Sequence, residues 1–174
     1  MPRVEVQADL PVLGPDDVLA VPVGTGAALP PWLSDPAPVV SPELLSGALA
    51  DTGNKGKAGT VSAIPIAGRR PRSVLAVGIG EATLPDVRGY VAAAVRRGQS
   101  LAEHGARRLV VPLDSAASPA GGDEVRAAVE AALLAGYRFR DTSAGHPQRL
   151  AEVHLVAADA ADPAVVTGSR HGQV

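Results

Sequence analysis

Lys55 and Lys57 stand in the glycine-dense turn Gly53-Asn54-Lys55-Gly56-Lys57-Ala58-Gly59, and they are the only two lysines in the chain. Glycines at this density let backbone N–H groups approach an anion, and two ammonium groups would attract one. The spacing is nevertheless not that of a phosphate loop. The G-x-x-x-x-G-K-[ST] pattern is missing, and this turn leads into a strand where that motif opens a helix. The alternative is a hairpin-like or interface turn. Two lysines among glycines also lack the desolvation that lysine chemistry uses, so a role for Lys55 and Lys57 would be contact with an acidic surface or an anion.

A second candidate is Gly78-Ile79-Gly80, which follows a strand-like run and precedes a helical one. A helix N-terminus in that position can bind phosphate. The third glycine of a dinucleotide fingerprint is replaced by Thr83, and a tight strand-to-helix turn accounts for the same residues. Glu152 and His154 lie two apart in a strand-like segment, hence on one face, and could offer two metal ligands. No third ligand is evident in the sequence, and a solvent-facing polar edge is the reading preferred here. Nucleophile signatures are absent: there is no G-x-S-x-G, no H-E-x-x-H, and no cysteine at all.

The elements that position these residues alternate between strands and helices. Strand patterns cover Val4 to Ala8, Val18 to Val23, Thr60 to Ile66, Ser73 to Val77, Arg108 to Leu113 and Glu152 to Ala157. The first two read as neighbours in one sheet. Ser41 and Pro42 start a short helix that runs to Ala50. Val87, Val91, Ala94, Val95, Leu101 and Ala102 recur at helical spacing until Gly105, and a further periodic helix carries Val125, Ala128, Val129, Ala132 and Leu133. Tyr137 and Phe139 are expected to pack the end of that helix against the sheet. The alternation predicts an α/β three-layer sandwich, with a mixed, mostly parallel sheet flanked by helices. One domain over residues 1–160 is expected, with 161–174 as a C-terminal tail or the start of a linker to a further domain.

Composition narrows the function. A chain of 174 residues with 46% hydrophobic and 20% charged residues and a net charge of −2 is an ordinary globular sequence. Its arginines are scattered in ones and twos and aromatics make up 2%, which argues against nucleic acid as a partner. Without cysteine there are no disulfides or thiolate zinc sites. No segment is long and apolar enough for a signal or a membrane span, and a cytoplasmic location is expected.

Three stretches in order resemble the N-terminal domain of the leucyl aminopeptidases, the cytosol aminopeptidase or M17 family. They are Gly56-Lys57-Ala58-Gly59 before an apolar strand, Arg72-Ser73-Val74-Leu75-Ala76-Val77-Gly78-Ile79-Gly80, and Leu134-Ala135-Gly136-Tyr137-Arg138-Phe139. The resemblance implies a macro-domain-like α/β fold without catalytic residues. In that family two divalent metals, zinc or manganese, sit in a separate C-terminal domain around an N-T-D-A-E-G-R segment that this sequence lacks. The expectations are therefore no cofactor in this chain and a structural, assembly or regulatory role. Its partner would be a metalloaminopeptidase catalytic domain or further copies of itself. The alternative is a free-standing macro-like module that binds ADP-ribose or another nucleotide or anion, with Lys55, Lys57, Gly78 and Gly80 as the tentative contacts.

Overall fold

The structure, a computed structural model, describes residues 2–34, 39–68, 70–81, 83–114, 120–137, 150–163 and 166–167. Six strands, β1 (Arg3–Gln7), β2 (Asp17–Gly24), β3 (Val61–Pro65), β4 (Ser73–Gly80), β5 (Arg108–Pro112) and β6 (Glu152–Val156), form one sheet in the order β1-β6-β5-β2-β4-β3. All pairings are parallel except the β3–β4 hairpin at one edge. Helices α1 (Pro42–Thr52), α2 (Leu84–Ala102) and α3 (Gly122–Gly136) and a short 3-10 helix at Pro31–Ser34 complete the described elements. The mixed, mostly parallel α/β architecture is the one the alternation predicts.

Burial on both faces explains why β2 and β4 are continuous apolar runs. On one face, Val18, Ala20, Leu75, Val77, Leu109, Val111, Val153 and Leu155 pack under α2 and α3, meeting Val91, Ala94, Val95, Val125, Ala128 and Val129. On the other, Leu19, Val21, Val23, Val74, Ala76 and Val110 meet Leu45 and Leu49 of α1, together with Leu13 and Leu33. With so few aromatics, small and branched side chains fill this core. Close approach follows: a Cβ at Gly98 of α2 would lie 2.9 Å from the Leu150 side chain.

The lateral order corrects one expectation, since β1 and β2 are not neighbours. β1 pairs with β6, and both β6 and β5 lie between it and β2. The connecting segment packs Leu10 and Leu13 into the α1-side core. It is fastened at Asp17, which accepts hydrogen bonds from the Gly14 N–H (2.6 Å) and Arg108 Nε (3.0 Å). That hydrogen bond, outweighing the opposing desolvation, raises the pKa of the Arg108 guanidinium.

Candidate functional site

The chain leaving β2 departs toward α1, while the chains leaving β4 and β5 depart toward α2 and α3 on the opposite face. Open α/β sheets bind ligands at such a divergence, at the carboxyl ends of the strands. Both glycine motifs meet there. Gly80 ends β4, and residues 54–60 lie against the ends of β2 and β4. Gly78 and Gly80 are thus the last residues of the strand rather than a turn beyond it.

Backbone contacts explain the glycines of this loop. A Cβ at Gly56 would lie 1.9 Å from the Gly24 carbonyl oxygen, and one at Gly78 would lie 2.0 Å from that of Lys57. Gly80 N–H donates to the Gly56 carbonyl (2.9 Å), Gly59 N–H to that of Gly78 (3.0 Å), and Gly26 N–H to that of Lys55 (3.1 Å). The side chain of Asn54, buried beneath the loop, accepts from the Gly56 N–H (3.0 Å) and donates to the Ala76 carbonyl (3.2 Å). The Thr25 hydroxyl donates to the Gly80 carbonyl (3.2 Å). The amides of Gly56, Gly59, Gly78 and Gly80 therefore bond to the protein itself, and the loop joins the ends of two strands.

The α2 N-terminus already carries a negative group. Asp86 Oδ2 accepts from the Thr83 N–H (3.1 Å) and hydroxyl (2.6 Å). A carboxylate in the first turn occupies the positive end of the helix dipole and repels a phosphate from it. Lys55 and Lys57 are exposed at the loop surface. The structure thus gathers all four candidate residues at one end of the sheet, with two cations facing out and two glycines packed in.

Glu152 and His154 lie elsewhere, and here the expectation of a solvent-facing edge is overturned. β6 runs between β1 and β5, and His154 is only 8% exposed. Gln7 Nε2 donates to the Asp9 carbonyl (2.7 Å), which turns Gln7 Oε1 toward His154 Nδ1 (3.1 Å). His154 Nε2 faces Glu152 Oε2 at 3.0 Å and Glu5 Oε2 at 3.7 Å. These contacts tie the edge strand β1 to β6. Glu5 is a neighbour the sequence reading missed; the parallel register that sets it beside His154 has no local sequence signal. Among the described residues no group of three or more His, Asp or Glu is arranged to hold a metal ion. Tyr137 is 63% exposed rather than packed on the sheet, and Phe139 lies outside the described residues. No helix among the described residues is long and apolar enough to cross a membrane.

Residues 39–143 match the family model for the N-terminal domain of the cytosol aminopeptidase family. The chain belongs to the cytosol aminopeptidase family. The matched stretch includes all three resembling segments and, in this family member, runs from before α1 to just beyond α3. Among solved structures, the bottromycin maturation enzyme BotP is similar at 30% identity and a TM-score of 0.59, over 87% of this chain and 29% of that one. A mutant of tomato leucine aminopeptidase matches at 16% identity and a TM-score of 0.71, over 99% of this chain and 36% of that one. The macro domain of ganglioside induced differentiation associated protein 2 matches at 10% identity and a TM-score of 0.63, over 95% of this chain and 81% of that one. The last of these shows the macro-like fold. The chain thus spans under a third of the length of BotP. A search of curated proteins returns no match.

Proposed function

We propose that this chain is a non-catalytic domain that packs on, orients or assembles a metal-dependent aminopeptidase, and that it acts through its surface. The observation that carries this reading is the match of residues 39–143 to the N-terminal domain of the family. The contacting group would be the exposed Lys55/Lys57 loop, held rigid by its backbone bonds and offering two cations to an acidic surface. The two divalent metals would belong to the catalytic domain.

Sedimentation velocity of the chain with a catalytic domain of the family tests the proposal. The expected result is a complex that weakens as salt rises and weakens again when Lys55 and Lys57 are both replaced by Ala. Absence of a complex at low salt, or one indifferent to both lysines, would overturn it.

The second reading, a nucleotide-binding module, is favoured by the structural likeness to a macro domain. Against it stand the internally bonded glycine amides and the Asp86 carboxylate at the α2 N-terminus. Calorimetry with ADP-ribose separates the two, and saturable heat abolished by the lysine replacements would favour the second.

A further inference from the structure

The sheet ends in β1 on one side and in β3 on the other, and the two edge strands differ in charge. β1 carries Arg3 and Glu5, paired at 2.6 Å, and charges on an edge strand discourage another strand from adding to it. β3 has no such protection, since no residue from Thr60 to Gly68 is charged.

The register shows what the β3 edge offers. Val61 stands opposite Val77, and on either end of the pairing the Thr60 carbonyl accepts from the Gly78 N–H (2.8 Å) while the Ile66 N–H donates to the Arg72 carbonyl (3.4 Å). Hydrogen-bonded pairs recur at every second residue of an antiparallel ladder, so Ser62 and Ile64 also turn their backbone groups to β4. Val61, Ala63 and Pro65 therefore turn theirs outward, where no described residue pairs with them. Pro65 has no N–H, and its outward position means that the ladder to β4 loses nothing by it. Apolar side chain borders the same edge. The Ser62 hydroxyl donates to that of Thr52 (3.1 Å), which puts the α1 stripe Leu44, Ala48 and Thr52 on the β3 side of the helix. Leu44 is 42% exposed there.

This row of backbone partial charges is its own complement. Set antiparallel to a second copy about a twofold axis at Ala63, each Ala63 N–H meets the other's Ala63 carbonyl, and each Val61 N–H meets the other's Pro65 carbonyl. Both outward donors of each copy are satisfied and no charge is buried. The axis stands perpendicular to the sheet, so both α1 helices lie on one face with their Leu44 stripes toward each other. Every contact is made twice between the same two surfaces, as an isologous interface requires.

We propose that β3 pairs with β3 of a second copy, joining two six-stranded sheets into one, with Leu44 of each α1 beside the axis. The inference goes beyond the assembly role proposed above and does not depend on it, because the interface requires only this chain. Sedimentation velocity of the 174-residue chain from about 1 to roughly 300 µM, with amide hydrogen exchange read by NMR at both ends of that range, is the test. A concentration-dependent dimer is expected. The Val61 and Ala63 amides should gain roughly tenfold or more protection in it, whereas those of Ser62 and Ile64, bound to β4, stay protected throughout. Ala63→Pro removes an outward donor and leaves the bonds to β4, and it should abolish the dimer. Leu44→Glu, an exposed change in the first turn of α1, should melt no lower than the parent while raising the dissociation constant by roughly tenfold or more. Val12→Glu, 95% exposed in the β1–β2 connection, should leave the dimer unchanged. A chain monomeric throughout overturns the proposal, as does a dimer in which Val61 and Ala63 exchange as in the monomer, or one indifferent to Ala63→Pro or Leu44→Glu. Protection of these two amides only when a catalytic domain is added would reject self-pairing and leave the assembly role standing.

Discussion

Tyr90 is buried in the α2–sheet interface and its hydroxyl donates to the Pro112 carbonyl at 2.9 Å. Burial pushes its phenol well above the ordinary tyrosine range. Above pH about 10 the unfolded phenol ionises while the folded one keeps its proton, so the folded state binds more protons and stability falls as pH rises. Below that pH the contribution is fully present. Tyr90→Phe should remove this part of the alkaline loss, while costing about 1–2 kcal/mol at neutral pH for the carbonyl left unpaired. Urea midpoints of parent and variant at pH 8 and pH 10.5 check both statements, and parallel curves would show that the phenol does not carry the effect. At Lys55 and Lys57, replacement of both by Ala should shift stability by no more than about 0.5 kcal/mol, since neither side chain is packed. A larger loss in thermal melting would mean that the loop depends on its lysines for structure.

The glycine loop shows how one residue type acts differently by element. Gly47 lies within α1 with nothing within 4 Å of a Cβ, so Gly47→Ala should stabilise by roughly 0.5–1 kcal/mol through helix propensity. Gly56 has φ +78° and its Cβ would overlap the Gly24 carbonyl, so Gly56→Ala should cost several kcal/mol or displace the loop. Equal melting temperatures for the two variants would contradict the packing described. Element types were legible where the pattern is strong: Ser41 caps α1 as its position predicts, accepting from the Leu44 N–H at 3.2 Å. The periodic run from Val87 is helix α2. Lateral order was not legible. Alternation along Val4–Ala8 tells which face a side chain takes but not which strand lies alongside, hence the misplaced β1 and the unforeseen burial of His154. The glycine motif was located, yet its internal hydrogen bonding depends on β2 and β4 ending side by side, a tertiary fact.

For the molecule as a whole, a single sheet buried on both faces makes the core indivisible. Val111 is fully buried under the helices, and Val111→Asp should abolish cooperative unfolding, because an unpaired buried carboxylate costs several kcal/mol against a total of about 5–15 kcal/mol. A variant that melted like the parent would show the core to be misassigned. On this scaffold the described residues supply neither a nucleophile motif nor a metal cage, and the candidate loop is occupied in joining strands. We propose that the chain acts by association and not by chemistry. Hydrolysis of leucyl amide by the purified chain, with added zinc or manganese, tests it most directly. No release above the metal-containing buffer is expected, and metal-dependent turnover that persists after rigorous removal of contaminating peptidases would contradict the proposal.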